Sequence, residues 1–251
     1  MDIVQTFYDN LASQYDKLFE DWNTTTKEQA LILDKLFRAS GFDTNCRILD
    51  CACGIGTQTI GLAASGYNVT ASDISTAELL EAKKRALENG VDISFEKADF
   101  RCLDDTFHNK FDIIIAMDNA LPHMLTDADL KRATESIFNQ LAEGGIFVAG
   151  IRDYDTLIKD KPPYCAPYIH KTREGQRIAF QTWKWKGNNY MLTQYIIEDG
   201  NELITSKFEC EYRAVTRSEL TDVLTLSGFS EVVWKFPEET GFYQPIVIAK
   251  R

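Results

Sequence analysis

A chain of 251 residues with 44 % apolar content has the size and composition of one α/β domain with a sizeable core. Its formal net charge of −11 excludes the broad basic surface that nucleic-acid binding usually needs. The longest apolar run, 113–117, is far shorter than the roughly 20 residues of a membrane span.

The first residues lack the basic-then-apolar pattern of a secretory signal. Apolar residues at Val4, Phe7, Tyr8, Leu11, Tyr15, Leu18, Phe19 and Trp22 follow one helical face. A second apolar-faced helix is expected over 27–38, ended by Ser40-Gly41. Strands and helices then alternate: strand 48–51, helix 57–65, strand 67–73, helix 76–89, strand 93–98, strand 111–117. Ser75 with Glu78 has the form of a capping box, and Asn89-Gly90 of a stop. The run 111–117 is nearly all apolar, as in the centre of a parallel sheet. A helix opens at Thr126 with Asp129 and runs to Leu141, and strand 146–151 follows Gly144-Gly145. The period then changes. Residues 177–186, 190–198 and 203–213 read as three strands joined by polar turns. The α/β pattern resumes with a helix from Thr216 through Leu226 and strands near 231–236 and 243–250. The fold expected is α/β, a doubly wound and mostly parallel sheet with N-terminal lid helices and an inserted antiparallel three-stranded meander.

The densest signal is Ile48-Leu49-Asp50-Cys51-Ala52-Cys53-Gly54-Ile55-Gly56, a strand running into a glycine turn and a helix. Glycine lets backbone pass close to a ligand. About twenty residues on, Asp73 ends the second strand, where an acidic side chain can accept hydrogen bonds from ribose hydroxyls. A nucleoside cofactor is therefore expected. A dinucleotide fingerprint would have a third glycine where Thr59 stands, and Asp50 suits a cationic ligand better than a pyrophosphate. Other strand ends carry further chemistry: Asp99-Phe100, Met117-Asp118-Asn119 and Arg152-Asp153-Tyr154. Six cysteines, with Cys51 and Cys53 one residue apart, match neither a redox pair nor a zinc knuckle. They read as reduced thiols in a cytoplasmic protein, and no metal is expected.

The block 48–56 resembles the first motif of class I S-adenosylmethionine-dependent methyltransferases. The resemblance implies S-adenosylmethionine as cofactor and a Rossmann-like core over 46–151. It implies that Asp50, Ala52, Gly54 and Gly56 surround the methionine half and that Asp73, beside Ile74, holds the ribose. Asp99, with Ala98 and Phe100, would take the adenine, and Met117 and Asp118 complete that side. The whole chain, 1–251, reads as a single domain: helices in 1–40, the core, a β insertion over 164–214, and completion of the sheet over 215–251.

A narrower resemblance rests on Asp118-Asn119-Ala120-Leu121-Pro122-His123, Ile151-Arg152-Asp153-Tyr154-Asp155, the runs 7–12 and 19–22, and Thr240-Gly241-Phe242-Tyr243-Gln244-Pro245. These are similar to glycine/sarcosine N-methyltransferases. Carried over, Arg152 would clamp the carboxylate of a small amino acid, a role that suits guanidinium. Asn119 would orient the acceptor, and His123 and Tyr243 would line its pocket. Each has a plain structural alternative: an ion pair of Arg152 with Asp153 or Asp155, a turn-capping Asn119, a loop His123. Tyr15 and Trp22 are pocket walls or members of a packed helix. Where animal relatives use an N-terminal arginine on the cofactor carboxylate, this chain has none before Arg38, which leaves Lys27 or Gln29 for that contact. The expected partner is a small amine, with no nucleic acid and no membrane. The competing readings are a methyltransferase for an aminosugar or other metabolite, and a cofactor-binding regulator without turnover. A nicotinamide dehydrogenase is disfavoured by Thr59.

Overall fold

The architecture is that of a computed structural model, which describes residues 3–251; Met1 and Asp2, the start of the expected N-terminal segment 1–40, lie outside the described residues. Seven strands form the central sheet: β1 (Arg47–Asp50), β2 (Asn68–Asp73), β3 (Ser94–Lys97), β4 (Phe111–Ala116), β5 (Leu141–Gly150), β10 (Glu231–Lys235) and β11 (Ile246–Lys250). Their order is β10-β11-β5-β4-β1-β2-β3. The first five run parallel, and β11 is antiparallel to both β5 and β10. The order reverses between β1 and β4, and at such a reversal the strand ends part to leave a crevice.

Helices α3 (Thr57–Ala64), α4 (Thr76–Glu88), α5 (Asp127–Gln140) and α7 (Arg217–Leu226) cover the sheet. In β4, Ile113, Ile114 and Ile115 are fully buried, since both faces are covered. Helix α2 (Trp22–Ala39) lies so close to α3 that a Cβ on Gly61 would sit 2.5 Å from the Thr26 carbonyl oxygen.

Two expectations about the N-terminus change. The apolar face over 4–22 is not one helix: α1 (Ile3–Leu11) passes into a 3-10 segment (Ala12–Leu18). Trp22 then opens α2, because the Asp21 carboxylate accepts from the amides of Asn23 and Thr24 and so starts a helix there. The Ser75–Glu78 capping box is half made. The Ser75 hydroxyl accepts the Glu78 amide, while the Glu78 carboxyl turns inward and is buried without a hydrogen-bond partner among the described residues.

The insertion has four strands rather than three: β6 (Tyr168–Lys171), β7 (Gln176–Lys186), β8 (Asn189–Asp199) and β9 (Leu203–Arg213), in that order. β6 is four residues of exposed edge, too short and too little buried to leave an alternating pattern. The inner face of this sheet presents Trp183, Tyr190, Leu192, Ile196, Cys210 and Tyr212 to the main core. Short helices Tyr154–Asp160 (α6) and Pro237–Thr240 (α8) complete the chain.

Candidate active site

A cavity of about 470 Å³ opens at the carboxyl ends of β1 to β4. Its floor is the turn after β1, including Ala52 and Gly54. Gly54 has φ +51°, a conformation that strains other residues, and a Cβ there would lie a tight 3.1 Å from Glu78 Oε2. Asp73 lies beneath it: its carboxylate accepts from the amides of Gly54 and Ser75, both at 2.9 Å. Burial nevertheless raises its pKa, an effect those amides only partly offset. Ile74, Ala98, Asp99 and Phe100 extend one wall, and Met117, Asp118 and His123 the other. The roof includes Val4, Tyr8 and Tyr15 from the N-terminal segment, and Cys210 and Glu211 from β9.

Thr59 donates to Asp50 Oδ2 at 2.6 Å, so the hydroxyl that breaks a dinucleotide fingerprint anchors the buried acid of β1. Asp50 lies behind the floor rather than in it: it is fully buried, its other oxygen reached by the Ala52 amide. Burial pushes its carboxyl up to about 7. Asp118 accepts from Gln58 at 2.7 Å and from the Tyr243 hydroxyl at 2.7 Å. Gln29 reaches the site only through Gln58, to which its amide oxygen is bonded at 2.6 Å. Lys27 lies on the exposed face of α2. Trp22 is buried behind the cavity, its indole donating to Thr57 and Arg85 stacked on its ring at 4.6 Å. Gly56 faces Ile60 of α3 and not the cavity. Asp99 has both carboxylate oxygens bonded by the Arg101 guanidinium.

The second cluster lies under the inserted sheet. His123 Nε2 and the Tyr8 hydroxyl are hydrogen-bonded at 2.9 Å, and the imidazole ring lies 4.2 Å from that of Tyr212. Burial lowers the His123 pKa to about 3, only partly opposed by its bond to the Glu211 carbonyl, so the ring is neutral. Tyr212 also lies 6.0 Å from Arg152 Cζ, linking the cavity wall to the arginine. Arg152 donates to the Tyr190 hydroxyl at 3.2 Å and to Gln181 Oε1 at 2.9 Å, and stacks over Trp183 at 5.0 Å. Asp153 and Asp155, the carboxylates next to it in sequence, both pair with Arg217 instead. Asn119 and Asp118 hold left-handed backbone, φ +74° and +52°, unusual for residues other than glycine. Asn119 Oδ1 accepts from the Arg152 amide and the Tyr154 hydroxyl, and its buried Nδ2 has no partner among the described residues. Tyr243 stands with its ring largely exposed, attached through its hydroxyl to Asp118.

Of the residues expected at the site, the cavity therefore gathers Ala52, Gly54, Asp73, Ile74, Ala98, Asp99, Phe100, Met117, Asp118 and His123. Asp50, Gly56, Trp22 and Gln29 support it from behind, and Asn119, Arg152 and Tyr243 adjoin it. Sequence reasoning missed Tyr8, Gln58, Gln181, Trp183, Tyr190, Cys210 and Tyr212. Five of these seven come from the inserted sheet, where inward positions alternate along each strand as in any half-buried sheet and carry no local motif.

A cationic sulfonium nucleoside suits this donor set. Asp73 offers a buried carboxylate beside a glycine turn at positive φ, and Asp118 adds a second acid at the same cavity. Among the described residues no lysine lines it, and its one lining arginine, Arg101, is paired with Asp99 and Asp129.

Residues 48–145 match a family model described as "Methyltransferase domain". A glycine/sarcosine N-methyltransferase of Parasynechococcus marenigrum (strain WH8102) is 26 % identical over 155 residues, which are 62 % of this chain and 54 % of that protein. The chain spans about half the length of the curated relatives it matches. Among solved structures, an S-adenosylmethionine-dependent methyltransferase from Clostridium acetobutylicum ATCC 824 superposes with a TM-score of 0.75 at 20 % identity, covering 97 % of both chains. CalS10, an amino pentose methyltransferase from Micromonospora echinaspora, gives 0.76 at 18 % identity, covering 90 % of this chain and 91 % of that one. With a sheet of this order, an acid at the end of β2 and a glycine turn after β1, the chain carries a methyltransferase domain over 48–145 and has the fold of S-adenosylmethionine-dependent methyltransferases.

Proposed function

We propose that this chain moves the methyl group of S-adenosylmethionine to the nitrogen of a small amine bearing a carboxylate, such as glycine or sarcosine. Arg152 carries the reading. It is a guanidinium held by neutral acceptors, with its neighbouring acids committed to Arg217, so its charge is left for a ligand. Bound in the cavity, the cofactor supplies an electrophilic methyl on a sulfonium. Asp73 would accept the ribose hydroxyls, and Gly54 would let the backbone approach. Asn119 Nδ2 is a buried donor in want of an acceptor beside Arg152, and the acceptor's carboxylate or amine would supply one. Neutral His123 adds no positive charge near an incoming amine, which must itself be neutral to attack. Positioning, more than acid–base chemistry, is then the main contribution of the protein. The partner is a small molecule, and a cytoplasmic setting accords with six cysteines that form no disulfide among the described residues.

The test is release of S-adenosylhomocysteine with glycine and sarcosine, with products identified by mass. Arg152→Leu should raise the acceptor KM by roughly 10- to 100-fold, the worth of a charge-assisted pair, and leave cofactor affinity within about twofold. An unchanged KM would sink the reading. A second reading, methylation of an aminosugar, is favoured by the match to CalS10 over 90 % of this chain. It predicts turnover of an amino sugar that is indifferent to Arg152→Leu.

A further inference from the structure

Arg152 is held by an amide chain whose direction is set at both ends. Gln181 of β7 and Gln194 of β8 are directly opposed across the sheet. Gln181 Oε1 receives two groups that can only donate, the Arg152 guanidinium at 2.9 Å and the Trp183 indole N–H at 3.1 Å. Its Nε2 must then donate outward, and it does so to Gln194 Oε1 at 2.9 Å. Gln194 Nε2 in turn donates to the carbonyls of Phe180 and Tyr195, both at 3.0 Å, and carbonyls can only accept. Neither amide can flip without setting donor against donor or acceptor against acceptor. Gln194 is buried, which makes such a mismatch costly.

A carboxylate would satisfy the same guanidinium more strongly, yet position 181 holds a neutral amide. The difference matters for a charge that has to meet a ligand. A carboxylate there would neutralise Arg152 inside the protein, and an incoming carboxylate would have to compete with it. A neutral oxygen fixes the fork and leaves the charge uncompensated. A glutamate would also lose the donor toward Gln194. We infer that Gln181, locked by Gln194, is a positioning residue that keeps Arg152 oriented and unneutralised, and so sets selectivity for acceptors that carry a carboxylate. The inference rests on the acceptor reading proposed above.

The experiment compares glycine with glycinamide, its uncharged counterpart, in the wild type, Arg152→Leu, Gln181→Glu and Gln181→Met. The readout is the ratio of kcat/KM for the two acceptors, with KM and kcat separated and folding followed by near-UV circular dichroism. In Gln181→Glu the glycine preference should fall at least about tenfold, as in Arg152→Leu, mostly through KM for glycine. Gln181→Met removes the fixing oxygen without adding charge, so KM for glycine should rise several-fold while a preference for glycine survives. It also carries the test if Gln181→Glu does not fold. Equal ratios in the wild type and Arg152→Leu would overturn the acceptor reading, and the inference with it. A preference lost in Arg152→Leu but retained in Gln181→Glu would overturn the inference alone, as would an unaltered glycine KM in Gln181→Met.

Discussion

Asp50 illustrates how a single buried acid couples the site to pH. Burial raises its carboxyl to about 7 from 3.8, against the hydrogen bonds from Thr59 and Ala52. Between those values the folded chain holds a proton that the unfolded chain has released. Its contribution to stability is therefore complete below 3.8 and is lost as pH rises through 7. The variant Asp50→Asn cannot ionise and escapes that loss. Its Tm relative to wild type should climb as pH is raised from about 4 to about 8, with an upper bound on the order of 4 kcal/mol. A difference that stays flat over that range would show that Asp50 is already ionised in the folded state at about pH 4, its pKa not raised by burial. The residue was legible in the sequence as an acid before a glycine turn. Its depth behind that turn was not, because Thr59 reaches it from the next helix.

Among the elements, α1 is tied to α4 by one side chain. Asp9 Oδ1 accepts from the Ser75 hydroxyl at 2.6 Å and the Ala77 amide at 3.1 Å, so a residue of one helix caps the start of another. Further ties join the N-terminal segment to the inserted sheet: Lys17 to Glu198, Ser206 to Gln14, and Arg177 to the Phe19 carbonyl. Asp9→Ala should cost about 1 kcal/mol in denaturant unfolding, the usual worth of a cap. It should also speed limited proteolysis within residues 3–20 relative to the rest of the chain. Equal cleavage rates in wild type and variant would mean that the cap does not hold the segment down. Amphipathic spacing identified helical residues in 4–22, but the break into a 3-10 segment comes where the chain packs on α4 and β7, which lie far away in sequence.

At the scale of the whole molecule, the cavity is enclosed by three parts of the chain: the strand ends of the main sheet, the N-terminal segment and β9. A ligand that bridges them stabilises the folded state by mass action. S-adenosylhomocysteine at a hundred times its Kd should add about 2.7 kcal/mol and raise Tm accordingly. Asp73→Ala should weaken its binding by about 1–3 kcal/mol, the worth of hydrogen bonds to a charged group, and shrink the Tm shift at the same ligand concentration. The same Tm shift in Asp73→Ala as in wild type would remove Asp73 from the ligand's contacts.

Local order in the chain was enough to reveal the strand–turn–helix of 48–56, the acid closing β2, the caps at Thr126 and Thr216, and a β-rich insertion. Each is set by neighbours within a few residues: side-chain period, glycine at positive φ, and hydroxyls facing nearby amides. What only the tertiary structure decided is which of the expected residues face the cavity and which stand behind it. It also decided the pairing of Asp153 and Asp155 with Arg217, and the enclosure of Arg152 by Gln181, Trp183 and Tyr190. Those outcomes depend on the inserted sheet folding back over the segments that follow β4 and β5, and on which buried donors and acceptors then find one another. Such pairings join residues tens to hundreds of positions apart, and no local pattern in the sequence encodes them.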